Sequence, residues 1–277
     1  MEKSTLIEIK DLTVDVFHKD DNGKLICQNV YSHFNYTIYK GERIIFIDQN
    51  GNGKSLLFDL IFTGFNNYLA MKGDGIKIKS GSIVYDGGDL LEPDCATKRR
   101  PFVYIMQDDA VRTNSTVISS IYSECSANGI DTRNSAINQK IDDYLKKFKL
   151  YKKKNNRIGR SLFDFFSFQK TNGNLSFGER RAVNIISKLI TIAGKDLLLI
   201  DEPLNHLSYE NAKCFNEVVN ELIIEHPSLT ILVISHCRGI DFATKEVCFN
   251  ECKNGLIEKE YIPYNCFGKK NECEDCI

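Results

Sequence analysis

Residues 6–17, Leu-Ile-Glu-Ile-Lys-Asp-Leu-Thr-Val-Asp-Val-Phe, alternate apolar and polar side chains well enough to predict a β-strand. Asp20-Asp21-Asn22-Gly23 follows as a hairpin-turn sequence. A second strand is expected near residues 31–39, a turn at Lys40-Gly41-Glu42, and a short buried strand over 43–47. A glycine-rich loop comes next, then an apolar stretch over 55–62 that reads as a helix. Strand patterns return at 76–85 and 102–106. Residues 114–170 change character: they read as helices and contain no good strand. Regular alternation then resumes, with a helix at 176–193, a strand at 197–201, a helix at 208–225 and a strand at 229–234. Strands alternating with helices of this length imply a parallel sheet. The expectation is an α/β fold with a mainly parallel core sheet, an N-terminal antiparallel β subdomain and an inserted helical subdomain.

Charge adds little to this picture. The 277 residues carry 36 basic and 37 acidic side chains, so global charge marks neither a nucleic-acid binder nor an acidic tail. Hydrophobic residues at 42% and charged residues at 26% exclude a disordered chain, a fibre or a coiled-coil rod. No apolar run approaches the ~18 residues of a membrane span. The first nine residues lack the apolar core of a signal peptide. The expected location is cytoplasmic, with contact to a membrane only through a partner. Residues 140–160 hold nine basic side chains against Asp142 and Asp143. This is either a solvated helix face or a strip for rRNA, DNA or anionic lipid, and the aromatic interleaving needed for base stacking is absent.

Ten cysteines are present, five of them in the last 30 residues: Cys248, Cys252, Cys266, Cys273 and Cys276. Cys273-x-x-Cys276 has the spacing of a metal or redox pair, but no second pair accompanies it. Free thiols in a reducing compartment remain the alternative.

The chemistry concentrates in three places. Asp48-Gln49-Asn50-Gly51-Asn52-Gly53-Lys54-Ser55, followed by Leu56, lies between a predicted strand and a predicted helix. That is the setting of a phosphate-binding loop, whose backbone N–H groups and helix N-terminus favour anions. Lys54 would reach the β- and γ-phosphates, and the Ser55 hydroxyl would hold Mg²⁺. Asp48 stands where the loop's first glycine belongs, and a carboxylate there repels phosphate unless it points away. The second place is Leu197-Leu198-Leu199-Ile200-Asp201-Glu202-Pro203, an apolar strand ending in two carboxylates. Asp201 would hold Mg²⁺ through water, and Glu202 is placed to act as a general base on a water molecule. The third is Leu175-Ser176-Phe177-Gly178-Glu179 before a helix that carries Arg180 and Arg181. Ser176 and Glu179 have the spacing of a capping box, and the same helix end is a candidate anion site.

In order and spacing these pieces resemble the ATP-binding cassette (ABC) ATPases, a P-loop NTPase family. The resemblance also takes in Gln107 after strand 102–106, His236 after strand 230–235, and Leu204-Asn205-His206-Leu207-Ser208 as the family's D-loop. It covers residues 6 to about 260. It divides the chain into a cassette over 1–260, with the helical subdomain at about 114–170, and a cysteine-rich tail over 261–277. It implies ATP and Mg²⁺ as ligands. Phe17 would stack on adenine. Gln107 would contact Mg²⁺ and the attacking water, and His236 the γ-phosphate. Asp48 to Leu56 would wrap the phosphates. The family acts as a head-to-tail dimer, so Ser176 and Gly178 would complete the site of a second cassette. Phe177 replaces the signature's usual glycine and Glu179 its usual glutamine, which with Asp48 implies a slow or asymmetric ATPase.

The leading expectation is the ATPase subunit of an ABC transporter, working on separate transmembrane permease subunits and peripheral at the inner face of a membrane. Phe163, Phe165, Phe166 and Phe168 would either line the docking groove of the helical region or fill its core. Two alternatives stay open: a soluble ABC ATPase acting on a ribosome, nucleic acid or effector protein, and a regulator that binds ATP and scarcely turns over.

Overall fold

The computed structural model describes residues 3–20, 22–47, 52–64, 75–92, 95, 98, 101–107, 115–150, 175–248 and 257–263. Strands β1 (Thr5–Lys19), β2 (Leu25–Tyr39), β4 (Gly75–Tyr85) and β5 (Gly88–Asp89) form an antiparallel sheet in the order β2-β1-β4-β5. The turn between β1 and β2 closes where the Asp20 carboxylate accepts the N–H groups of Asn22 and Lys24 and Gly23 takes φ +77°. A second sheet joins β3 (Arg43–Phe46), β6 (Phe102–Ile105), β7 (Leu197–Asp201), β8 (Thr230–Ile234), β9 (Lys245–Cys248) and β10 (Ile257–Glu260). Its order is β10-β9-β3-β8-β7-β6, parallel throughout except for the β10 edge.

The parallel strands read as continuous apolar runs because both faces are covered. Side chains alternate between two cores. Ile45, Val103, Ile105, Leu198, Ile200, Ile231 and Val233 face the core built with the later helices. Ile44, Phe46, Phe102, Tyr104, Leu197, Leu199, Leu232 and Ile234 face the core shared with the antiparallel sheet and with α1 (Lys54–Thr63).

The other helices are α2 (Val117–Ala127), α3 (Ser135–Lys147), α4 (Phe177–Leu189) and α5 (Tyr209–Glu225). Their buried positions follow helical spacing: Ile141, Tyr144, Leu145 and Phe148; Ala182, Ile185, Ile186 and Leu189; Phe215, Val218, Val219 and Leu222. Thr116, Asn134, Ser176 and Ser208 cap the four N-termini through their side-chain oxygens, each stabilising its helix by about 1 kcal/mol.

The described part of the region 114–170 is helical, as expected, with α2 and α3 packed on the first core. Phe163, Phe165, Phe166 and Phe168 lie outside the described residues, as do Cys252, Cys266, Cys273 and Cys276. Part of the basic stretch is engaged within the chain. Lys140, Lys147 and Lys149 pair with Glu225, Glu221 and Glu210 of α5, and Lys146 with Asp142. Exposed pairs of this kind stabilise by at most ~1 kcal/mol each. The sequence pattern did not announce β5, β9 and β10. They are short, and β10 is a fully exposed, charged edge. Cys248 belongs to β9, and Tyr261 is buried in the first core with its hydroxyl donating to the Arg238 carbonyl at 2.7 Å.

Candidate active site

The carboxyl ends of β3, β8, β7 and β6 lie side by side, and ligands of open α/β sheets bind at such an edge. A cavity of about 370 Å³ opens there. Asn52, Gly53, Lys54, Ser55 and Leu56 line it from the start of α1, Gln107 from the end of β6, Asp201 and Glu202 from β7, and His236 from beyond β8. Nine residues proposed from sequence therefore meet in one place.

Gly53 is the N-cap of α1 and takes φ +87°, a backbone state that β-carbon-bearing residues avoid. A Cβ there would collide with Val30 Cγ1. The Tyr31 hydroxyl donates to the Gly53 carbonyl at 2.5 Å and fixes the turn from outside. Lys54, 6% exposed, begins the helix, so its ammonium and the N–H groups of the first turn share the cavity wall. Asp48, Gln49, Asn50 and Gly51 lie outside the described residues.

Asp201 and Glu202 are buried, 3% and 5% exposed. Glu202 holds φ +47°, strained for a non-glycine residue and common at functional sites. Its N–H donates to the Ile234 carbonyl at 2.9 Å, which locks the turn onto β8. Oε2 accepts the His236 backbone N–H at 3.4 Å. Oε1 accepts no hydrogen bond from the described residues and stands 3.3 Å from Nε2 of His236. Burial pushes the Glu202 carboxyl up to about 7, with the Asp201 charge adding to the rise; the His236 N–H, Lys54 and Arg181 oppose it. A buried carboxylate raised toward neutral pH, with one oxygen facing the His236 imidazole, has the properties of a general base. Ser55, Gln107 and Asp201 bring hydroxyl, amide and carboxylate oxygens to the same cavity, a donor set that suits a hard divalent cation.

One expectation needs adjustment. Phe17 does not line the cavity; Val16 does, and the Phe17 side chain packs against Gly75. The cause is local. β1 carries register shifts between Ile9 and Leu12, between Leu12 and Val14, and between Val14 and Asp15, and such irregularities change which face a residue presents. Ser176 and Gly178, expected to serve a second cassette, do not line the cavity of their own chain. Ser176 caps α4 in a full capping box: the Glu179 N–H donates to Ser176 Oγ at 3.2 Å and the Ser176 N–H to Glu179 Oε2 at 2.8 Å. This placement is compatible with a role in a second cassette.

Sequence reasoning passed over Arg181. Its buried guanidinium donates to the carbonyls of Met106, of Asp201 at 3.0 Å and of Glu202 at 3.3 Å. It therefore ties α4 to the ends of both β6 and β7, beside Gln107 and Glu202. The arginine was visible after the signature, but its acceptors are backbone atoms with no side-chain pattern to reveal them. Gln28, Val30, Asn205 and Ile234 complete the cavity wall.

Comparison with known proteins gives the family. The family model described as ABC transporter matches residues 31–205. The thiamine import ATP-binding protein ThiQ of Histophilus somni is 28% identical over 85% of this chain and 94% of its own length. A putative ABC transporter ATP-binding protein of Enterococcus faecalis is 27% identical over 76% of this chain, which spans only 32% of that protein. A solved ATP-binding subunit of an ABC transporter superposes with TM-score 0.61 at 22% identity, covering 88% of this chain and 85% of its own. CbiO1 of Clostridium perfringens, part of the CbiONQ ABC transporter complex, gives 0.60 at 19% identity, covering 94% and 89%. The chain belongs to the ABC transporter family and is an ABC ATPase cassette.

Proposed function

We propose that the chain hydrolyses Mg-ATP as the motor of an ABC transporter, pairing with a second cassette and acting on separate membrane-spanning subunits. The observation that carries this reading is the convergence of Lys54, Gln107, Asp201, Glu202 and His236 on one cavity while Ser176 and Gly178 stand outside it. Lys54 and the first-turn N–H groups of α1 take the phosphate charge. Ser55, Gln107 and Asp201 would hold Mg²⁺, which when bound neutralises charge on the β- and γ-phosphates. Glu202 Oε1 orients a water molecule and accepts its proton. His236, 3.3 Å away, places an imidazole beside the same water and the γ-phosphate. Ser176 Oγ and the exposed N-terminus of α4 complete the site of a partner cassette and bind its γ-phosphate as a helix-end anion site.

The relatives support the transporter role through their names, ThiQ as a thiamine import protein and CbiO1 as part of a transporter complex. No helix among the described residues is long and apolar enough to cross a membrane. The test is a tagged Glu202→Gln chain isolated with ATP from detergent-solubilised cells. Recovery of a paired cassette with a multi-span membrane protein is the expected result. Recovery of soluble partners, ribosomes or nucleic acid alone would overturn the transporter reading.

A further inference from the structure

Three residues of the antiparallel sheet form part of the cavity wall: Val16 on β1 and Gln28 and Val30 on β2. Val16 and Gln28 are directly paired across the two strands, so their side chains leave the same face. Val30, at the register shift between the pairs Asp15–Asn29 and Val14–Tyr31, also lines the cavity, and its Cγ1 borders the Gly53 turn. This wall is therefore continuous with the phosphate-binding turn. A nucleotide anchored by its phosphates at Lys54 would lay its base against it. No Phe, Tyr or Trp is among the described residues that line the cavity; this wall offers two branched aliphatic side chains and one amide.

A glutamine amide carries one donor group and one acceptor group side by side. Adenine presents the complementary pair at N6–H and N7, whereas guanine presents two acceptors at O6 and N7. We propose that Gln28 determines base specificity: its amide pairs with the N6/N7 edge of adenine while Val16 and Val30 cover the ring. The proposal rests on the nucleotide-binding reading above and deepens it, since it assigns a residue to the choice of adenine over guanine. The competing view is that Gln28 is a solvated side chain on an edge strand, because β2 ends its sheet.

Isothermal titration of the full chain with MgATP and, separately, MgGTP distinguishes the two. Wild type should bind ATP at least about 5- to 10-fold more tightly than GTP, the lower part of the range for a bidentate amide–adenine pair. Gln28→Leu keeps the volume and removes the amide. It should weaken ATP by about that factor, leave GTP within about twofold, and so erase the preference. Val16→Tyr adds a ring to the same wall and should tighten both nucleotides several-fold. An unchanged ATP-to-GTP ratio in Gln28→Leu, or an equal loss for both nucleotides, overturns the proposal, as does a Val16→Tyr chain with unaltered affinities. Lys54→Ala separates the two levels. If it abolishes binding while the Gln28→Leu ratio is unchanged, only the base assignment fails. If wild type binds neither nucleotide, or binds both without Lys54, the phosphate-loop reading fails with it.

Discussion

The ring of Phe177 stands edge-on to the imidazole of His206, with centroids 4.4 Å apart. Phe177 opens α4 and is 54% exposed, while His206, in the stretch between β7 and α5 that resembles the D-loop, takes φ +65°. The next residue makes the contact tighter still: a Cβ on Gly178 would lie 2.5 Å from the His206 carbonyl oxygen. The signature and the D-loop are thus one packed unit, and Asn205, adjacent to His206, reaches the cavity.

Gly178→Ala should therefore displace the D-loop. The added methyl meets backbone rather than a yielding side chain, which costs about 1–3 kcal/mol. The expected outcome is a lower melting temperature and a fall in turnover larger than the stability loss explains. Phe177→Ala, by contrast, removes an exposed edge contact and the ring under the Arg180 guanidinium, and should change stability by about 0.5–1.5 kcal/mol. Thermal melts alongside phosphate release measure both.

Glu202→Gln should lower turnover by about 10²- to 10⁴-fold while ATP binding persists, because only the proton acceptor is lost. The wild-type rate should rise with pH through about 7, where Glu202 gives up its proton. Stability moves in the opposite sense. The folded state binds this proton more tightly than the unfolded chain, so the contribution is present below the unfolded carboxylate value and is lost as pH rises toward about 7. Glu202→Gln should then stabilise the chain at pH 8, by on the order of 2–3 kcal/mol. Equal melting temperatures for the two proteins across pH 5–8 would contradict this.

Gly53→Ala should abolish nucleotide binding. The position needs a positive φ and has no room for a methyl beside Val30. A cost of about 2 kcal/mol or more is expected from conformation and overlap together. Denaturant titration reads the stability, and nucleotide titration reads the site.

Arg181→Met should cost more activity than its burial suggests. Three carbonyls lose a charged donor, and hydrogen bonds to charged groups contribute about 1.5–3 kcal/mol each. Arg181→Lys keeps the charge but cannot span the ends of β6 and β7, so it should recover stability better than turnover. Parallel recovery of both would mean that Arg181 only fills the core.

The sequence by itself determined the parallel core, because strands buried on both faces must be continuous apolar runs and the crossovers between them must be helices. It also determined the chemistry of the phosphate turn and the paired carboxylates, since Gly53, Lys54, Asp201 and Glu202 are local requirements of a turn and a strand end. Only the tertiary structure decided what depends on register or on backbone acceptors. β1 carries four register shifts against β2, and Val16 rather than Phe17 lines the cavity, which the resemblance that pointed to Phe17 could not foresee. The short strands β9 and β10 exist because β3 and β9 offer open edges, not because their own sequences demand them. Arg181 acquires its role from carbonyls of residues 20 to 75 positions away, and main-chain oxygens are the same whatever side chains they carry.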